Sequence, residues 1–134
     1  MAETEWRAVL RTEDEEGAER LCVSARRRGD RFVFGRGGDW FAVLLPRGAP
    51  PRILRRGELR YRLVLDERCE THACIHTAYG NFAVRVRTLC AQVREGGGGC
   101  TLHCEYVLDF SGYERRCRVT FSARPPQPAK EGKR

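Results

Sequence analysis

The chain has 134 residues and a formal net charge of +7, with 41% hydrophobic and 32% charged residues. This length suffices for one domain with a single core and is too short for two. No apolar run approaches the length that spans a membrane, and the first residues lack the basic start and apolar centre of a secretion signal. The composition therefore predicts one cytoplasmic domain with no membrane partner.

The cysteine content agrees with that prediction. The sequence has seven cysteines, an odd number, which indicates reduced thiols rather than a disulfide framework. Several of them fall at apolar positions of alternating segments, where a free cysteine packs as a small hydrophobic side chain.

The first half of the chain alternates between apolar and polar residues, a pattern typical of strands with one buried face. The acidic segment 12–19 is predicted to be a solvated turn or loop. One strand, 40–45, is apolar on both phases, which favours cover on both sides by the N-terminal strand or by a partner subunit. A monomer and a homodimer are both left open. The predicted strands are 6–10, 21–25, 31–34, 40–45, 53–55 and 59–66.

Alternation continues in the second half, where the predicted strands are 69–77, 82–90, 100–110 and 117–121. In strand 82–90 the inward positions are predicted to end with Thr88 and Cys90. The four glycines at 96–99 predict a mobile loop, because glycine has the most conformational freedom to lose on ordering. From Arg124 the sequence is polar and proline-rich, which predicts disorder. The predicted division is a barrel domain at 1–123 and a disordered basic tail at 124–134.

About ten short strands, with no segment of helical periodicity, predict an all-β protein. A single antiparallel up-and-down β-barrel of about 8–10 strands is favoured over a sandwich, because closure removes the exposed edges that a long meander would present. In a barrel of this size the interior is either filled by side chains or holds one small ligand.

Three stretches resemble a known family: I-L-R-R-G-E-L-R-Y-R-L-V-L-D, H-T-A-Y-G-N-F-A-V-R-V-R-T and G-G-x-x-L-x-C-E-Y-V-L-D-F. They are similar to the YwiB-like family of calycin-type, lipocalin-like β-barrels, a bacterial family of unknown function. The resemblance runs from about 21 to 121. Its best-matching positions are Arg55-x-Gly57, Thr77-x-Tyr79-Gly80, Thr88 and Tyr106-x-Leu108.

The resemblance implies a calycin-like barrel in a cytoplasmic protein, and it supplies no reaction. The chain departs from the family pattern at two positions, with His76 in place of a tyrosine and Ala78 in place of a proline. If these positions line a pocket in the family, the preference of that pocket differs here.

A ligand pocket at the barrel mouth is the leading functional interpretation, for a small anionic or amphipathic molecule. Arginine offers a planar fork for carboxylate or phosphate, and tyrosine and histidine add polar tips to apolar bodies. The competing interpretation is structural, with Gly57 and Gly80 adopting positive φ in turns and Tyr79 plugging the barrel end. The candidate ligand-binding residues are Arg55, His76, Tyr79 and Arg87.

RNA binding through an arginine-rich exterior is the alternative function. Outward arginines on neighbouring strands are suited to tracking a phosphate backbone. Two observations weigh against it: no aromatic residues interleave with these arginines as a stacking platform, and the near-exclusive use of arginine is also typical of codon bias. The candidate residues are Arg26, Arg27, Arg28, Arg60, Arg62 and Arg85.

Metal binding and catalysis are not favoured by the sequence. His72, Cys74 and His76 would lie about 6–7 Å apart on one strand face, and no C-x-x-C knuckle is present to hold zinc. No nucleophile elbow or phosphate-cradling loop is found either. The sequence therefore predicts a non-catalytic protein with no metal and no cofactor.

Overall fold

A computed structural model describes residues 4–126 of the chain, and in that range it contains ten β-strands and no helix. The number and type of elements agree with the sequence prediction. The strands are β1 (Thr4–Asp14), β2 (Gly17–Arg28), β3 (Arg31–Arg36), β4 (Asp39–Leu44), β5 (Arg52–Arg56), β6 (Tyr61–Val64), β7 (Thr71–Thr77), β8 (Gly80–Gly96), β9 (Gly99–Phe110) and β10 (Tyr113–Arg124).

The ten strands form an up-and-down barrel. Their order is β6-β5-β4-β3-β2-β1-β10-β9-β8-β7, so every strand lies beside its neighbours in sequence, and β1 pairs antiparallel with β10. Between β6 and β7 a single bridge joins the edges, in which Arg60 and His76 exchange backbone hydrogen bonds of 3.0 and 2.9 Å. The predicted all-β antiparallel barrel is confirmed, with a weak seam at β6–β7.

Alternation places one face of each strand inside the barrel, as period-two side-chain geometry requires. One half of the interior is filled. Phe32 and Phe121 are fully buried with ring centroids 5.3 Å apart, and Phe34 stacks on Phe121 at 6.0 Å. Burying each such side chain contributes about 1.5–3 kcal/mol, so this half supplies much of the folding free energy.

Five hairpins lie at the opposite end, which we call the mouth. In an up-and-down barrel all odd-to-even connections share one end, here the β1–β2, β3–β4, β5–β6, β7–β8 and β9–β10 turns. At the first of these, β1 and β2 pair as far as Asp14 and Gly17, and the Asp14 carboxylate accepts backbone hydrogen bonds from Glu16 and Gly17 at 2.8 and 3.1 Å. The predicted turn or loop over 12–19 is a turn, but it is shorter than predicted, since only Glu15 and Glu16 leave the strands.

The glycine run between β8 and β9 also forms a tight turn rather than a mobile loop. β8 and β9 pair as far as Gly96 and Gly99, and the two residues between them, Gly97 and Gly98, have φ of 60° and 80°. A two-residue hairpin turn with both central φ values positive matches the twist of the strands and strongly favours glycine. The sequence prediction identified the glycines but missed the turn that they permit.

A β-bulge interrupts β8. Thr88 pairs with Tyr106 while Cys90 pairs with Glu105, so Leu89 is an extra residue between them. An extra residue reverses the phase of alternation beyond it. Cys90, predicted to face inward, therefore lies on the outer side with Glu105, and Ala91 packs against the core instead.

The apolar strand β4 lies between β3 and β5. Phe41 and Val43 face the core, whereas Trp40 on the outer face is 58% exposed. Within the described residues the N-terminal strand does not cover this outer face, because β1 pairs with β2 and β10.

The last strand, β10, ends one residue beyond the predicted domain boundary between 123 and 124. Arg124 is the last residue of that strand and pairs with Arg7. The predicted tail beyond 126 lies outside the described residues.

Among the described residues, none forms a helix that is long and apolar enough to cross a membrane.

Candidate functional site

The unfilled half of the barrel is a cavity of about 860 Å³ that opens at the mouth. Its walls are apolar, and Phe41 marks the boundary with the filled half, since this ring stacks on Phe34 at 5.4 Å and also lines the cavity. The other apolar wall residues come from six different strands: Leu10, Leu21, Leu63, Ile75, Leu108 and Val119. Each of them occupies an inward position of its strand, so the alternation of the sequence builds this surface.

Arg55 is the charged residue deepest in the cavity wall. Its Nη2 donates to the Asp39 carboxylate at 2.8 Å, and its guanidinium lies 5.2 Å from the centre of the Phe41 ring. The hydrogen bond from Arg55 holds the pKa of Asp39 below its usual value, so the pair is ionised at neutral pH. The Arg55 Nε is buried and has no hydrogen-bond partner within the protein. Because Arg55 lines the cavity, its guanidinium is the charged donor available to an acceptor atom of a molecule bound there.

Two tyrosines and a cysteine add polar groups to the walls, namely Tyr61, Tyr106 and Cys117. Burial raises the pKa of Tyr61, raises that of Tyr106 well above its usual value, and raises the pKa of the Cys117 thiol to about 11. All three are therefore neutral at physiological pH and act as hydrogen-bonding groups rather than as charges.

The rim of the mouth carries balanced charge. Arg115 lies 3.4 Å from Asp14 and 3.5 Å from Glu16, and Glu19 also lines the cavity. The cavity lining has three arginines (Arg55, Arg115 and Arg118) and three acidic residues (Glu13, Asp14 and Glu19), so it has no excess of positive charge.

The four residues predicted to form a pocket do not meet inside the cavity. Arg55 lines the cavity, whereas His76 lies at the seam, in a groove that Arg55 also borders. Tyr79 is 95% exposed in the β7–β8 turn and does not plug the barrel end. Arg87 lies outside the barrel, 3.7 Å from Glu114. Only Arg55 is thus positioned to contact a ligand inside the barrel.

The sequence analysis did not identify most of the polar residues of the cavity as candidate ligand-binding residues. Alternation placed Tyr61, Tyr106 and Cys117 on inward faces, but it carries no signal that separates a filled interior from a hollow one. Asp39 was assigned to a turn, and its contact with Arg55 depends on the pairing of β4 with β5.

The six arginines considered for RNA binding differ in their surroundings. Arg27 packs over Trp6 at 4.5 Å and Arg85 pairs with Asp109, so both are engaged within the protein. Arg26 and Arg28 lie exposed near the β2–β3 turn, and Arg26 is the cross-strand partner of Val33, which lines the outer edge of a groove at the β6–β7 seam. Arg60 and Arg62 line a groove at the β6–β7 seam.

One cluster of metal-ligand types is present among the described residues, and the sequence prediction did not include it. One ligand atom from each of Cys90, His103 and Glu105 lies within 4.8 Å of the others, on the outer face of β8 and β9. Sulfur, nitrogen and carboxylate ligands of this kind suit zinc. Arg116 and Arg118 lie 3.6 and 3.5 Å from the Glu105 carboxylate and compete for its oxygens. The cluster exists only because the bulge at Leu89 turns Cys90 outward.

The fold and the cavity together define a closed up-and-down β-barrel that is hollow at one end. The chain belongs to the DUF1934 family, a domain of unknown function, whose family model matches residues 46–119. Its fold is similar to the crystal structure of the ywiB protein from Bacillus subtilis, with a TM-score of 0.72 and 13% sequence identity over 93% of this chain and 94% of that chain. No curated protein matches the chain in sequence. The family resemblance found in the sequence is confirmed.

Proposed function

We propose that the barrel binds a small amphipathic molecule, with its apolar part in the cavity and a hydrogen-bond acceptor directed at Arg55. The observation that carries this proposal is the cavity of about 860 Å³, whose mainly apolar walls include Arg55 as a charged hydrogen-bond donor. Ligand sites in proteins are typically concave and apolar, with a few polar groups that fix orientation.

The charges at the site favour an amphipathic ligand over a strongly anionic one. Arg55 already pairs with Asp39, and Arg115 already pairs with acidic residues at the rim. A full negative charge on the ligand would compete with these carboxylates for the two arginines. A single acceptor oxygen needs only one guanidinium N–H of Arg55 that Asp39 does not use, which makes apolar contact the main source of affinity.

A binding role is favoured over catalysis by the state of the cavity's potential nucleophiles. A thiol reacts as its thiolate, and with a pKa of about 11 the Cys117 thiol is almost entirely protonated at neutral pH. Tyr61 and Tyr106 are likewise held in the protonated form by burial. Neither the Cys117 thiol nor the two phenols are therefore activated for attack on a ligand.

Native mass spectrometry of protein purified gently from its own cells, beside a denatured spectrum, tests for a retained ligand. We expect added mass that disappears on denaturation. Affinity is then measured with 1-anilinonaphthalene-8-sulfonate, whose rings and single sulfonate match the proposed chemistry. We expect saturable one-to-one binding that weakens about tenfold or more in Ile75→Trp, since the indole would fill the cavity.

The matched control is Val93→Trp, which places the same side chain at an exposed position of β8 and should leave the affinity unchanged. Thermal unfolding of both variants verifies that they fold. The proposal is wrong if the folded wild type neither retains a ligand nor binds the probe saturably, or if Ile75→Trp binds it as well as the wild type.

A further inference from the structure

A second concave surface lies outside the barrel, along the β6–β7 seam, and we call it the seam groove. Its volume is about 740 Å³, and it is distinct in chemistry from the interior cavity. Its floor includes the small or aliphatic outer side chains Ala42 and Leu54, which are cross-strand partners. Its outward polar and aromatic side chains are Trp40, Arg56, Arg60, Arg62, His72, Cys74 and His76, and it is bordered by Phe41, Arg55 and Tyr61 of the cavity wall.

The residues of the seam groove form a row across the strands. Trp40 is the cross-strand partner of Arg56, and Arg60 is the partner of His76. Neighbouring strands lie about 4.8 Å apart, so successive side chains of the row are close enough to contact one extended ligand. His76 is held by Asn81, with 2.9 Å between the imidazole Nδ1 and the amide oxygen. The row therefore runs from β4 across β5 and the start of β6 to β7.

The arginines of the seam groove are not neutralised. Within residues 4–126, no carboxylate lies within 4.0 Å of the guanidinium groups of Arg56, Arg60 or Arg62, whereas most other outward arginines of β8 and β10 have such partners. None of the described residues that line the groove is acidic, and Glu58 lines only its extension toward the mouth. The groove is therefore a local excess of positive charge suited to phosphate.

Trp40 supplies an aromatic platform for base stacking, which the sequence analysis did not find. It is 58% exposed, and its ring lies against Gly35, where an added Cβ would be 3.2 Å from the indole Cε3. One face of the indole therefore packs on backbone while the other faces the groove. Toward the mouth the surface continues to two further exposed aromatic residues, Tyr79 and Phe82.

We infer that the seam groove binds single-stranded nucleic acid: one base stacks on Trp40, and the phosphates contact Arg56, Arg60 and Arg62. Stacking on an aromatic side chain requires a base that is free of its partner, and a positively charged groove with aromatic platforms is how sequence-tolerant single-strand binders work. Phe41, Arg55 and Tyr61 border both the seam groove and the interior cavity. The four residues inferred to contact nucleic acid do not line the cavity, so this inference does not depend on the interior ligand.

Fluorescence anisotropy with labelled U12 and dT12 oligonucleotides tests the inference. Three phosphate contacts predict a slope of about −2 for log K against log salt, so affinity should fall roughly 15–20-fold between 50 and 200 mM salt. Arg60→Gln/Arg62→Gln should weaken binding and reduce the slope toward about −1. Comparison of U12 with dT12 shows whether RNA is preferred.

Two controls separate the seam groove from general basicity. Arg94→Gln/Arg124→Gln removes the same charge from exposed positions at the opposite end of the barrel and should leave the salt slope unchanged. Trp40→Ala should weaken binding about tenfold, as the loss of one base–aromatic stack does, and Trp40→Phe should restore most of it.

The inference is overturned if the folded wild type shows no saturable binding, if both double variants lose affinity equally, or if Trp40→Ala binds normally. It is also overturned if light scattering shows a dimer that Trp40→Ala dissociates, since a second copy would then occupy the groove. Binding of the naphthalene probe should be the same in Arg60→Gln/Arg62→Gln as in the wild type, which keeps the two sites distinguishable.

Discussion

At the scale of single residues, the structure gives a different reason for the glycine at position 57 than the sequence did. The sequence interpretation gave Arg55-x-Gly57 a turn role based on positive φ, but Gly57 is not among the glycines with positive φ. A Cβ at Gly57 would instead lie 1.8 Å from the Asp39 Oδ1, in the carboxylate that holds Arg55. Glycine is required here because the Asp39 side chain, at the start of β4, lies against the backbone of Gly57, just after the end of β5.

Gly57→Ala should therefore be destabilising. The methyl group would displace the Asp39 carboxylate and disturb its hydrogen bonds with Arg55 and with the backbone N–H of Glu58. We expect a loss of about 1–3 kcal/mol in the free energy of unfolding, measured by urea denaturation. Gly38→Ala is the matched control, because Gly38 has no atom within 4 Å of an added Cβ and no positive φ. Equal stability of the two variants would contradict this account.

The seam is the weakest junction at the scale of strands. β6 has four residues and meets β7 through one bridge and a hydrogen bond of 2.8 Å from the Thr71 hydroxyl to the Val64 carbonyl. By contrast, β9 pairs with β8 and β10 along nearly its whole length. Local opening costs least where few backbone hydrogen bonds must break.

Hydrogen exchange should reveal this difference. Amides of 60–65 and 71–77 should exchange at least about tenfold faster than those of 100–110, because opening the seam exposes them without unfolding the barrel. Peptide-resolved hydrogen–deuterium exchange measured by mass spectrometry gives both regions in one experiment. Uniform protection around the barrel would show that the seam is as strong as the other junctions.

The whole molecule is held together partly by carboxylates that accept hydrogen bonds. Backbone N–H groups lower the pKa of Asp109 and Asp66, Arg55 lowers that of Asp39, and His103 lowers that of Glu105. A group whose pKa is lower in the folded state stabilises the fold above its unfolded pKa. That stability is lost as the pH falls through the folded pKa.

We therefore expect the melting temperature to fall as the pH decreases below about 4, the range in which unperturbed aspartates titrate. The double variant Asp39→Asn/Asp109→Asn should show a shallower decline over the same range, because two of the titrating groups are absent. Differential scanning calorimetry between pH 6 and pH 2.5 measures both curves. Parallel curves for the variant and the wild type would show that these two carboxylates do not carry the acid sensitivity.

The sequence by itself determined the strands and the face that each residue presents. Tyr106 and Leu108 were predicted to face inward and do so, because alternation is a local property with a period of two. It also determined the barrel, since ten sequential strands with no helix leave few ways to remove exposed edges.

Only the tertiary structure decided where the barrel is hollow, where it is weak and which outer residues meet. The cavity depends on the sum of side-chain volumes from many strands, and local alternation contains no such sum. The bulge at Leu89 depends on pairing with β9, and it turned Cys90 out of the core. Trp40 and Arg60 meet across β4, β5 and β6, so the seam groove arises from strand order and closure rather than from any single stretch of sequence.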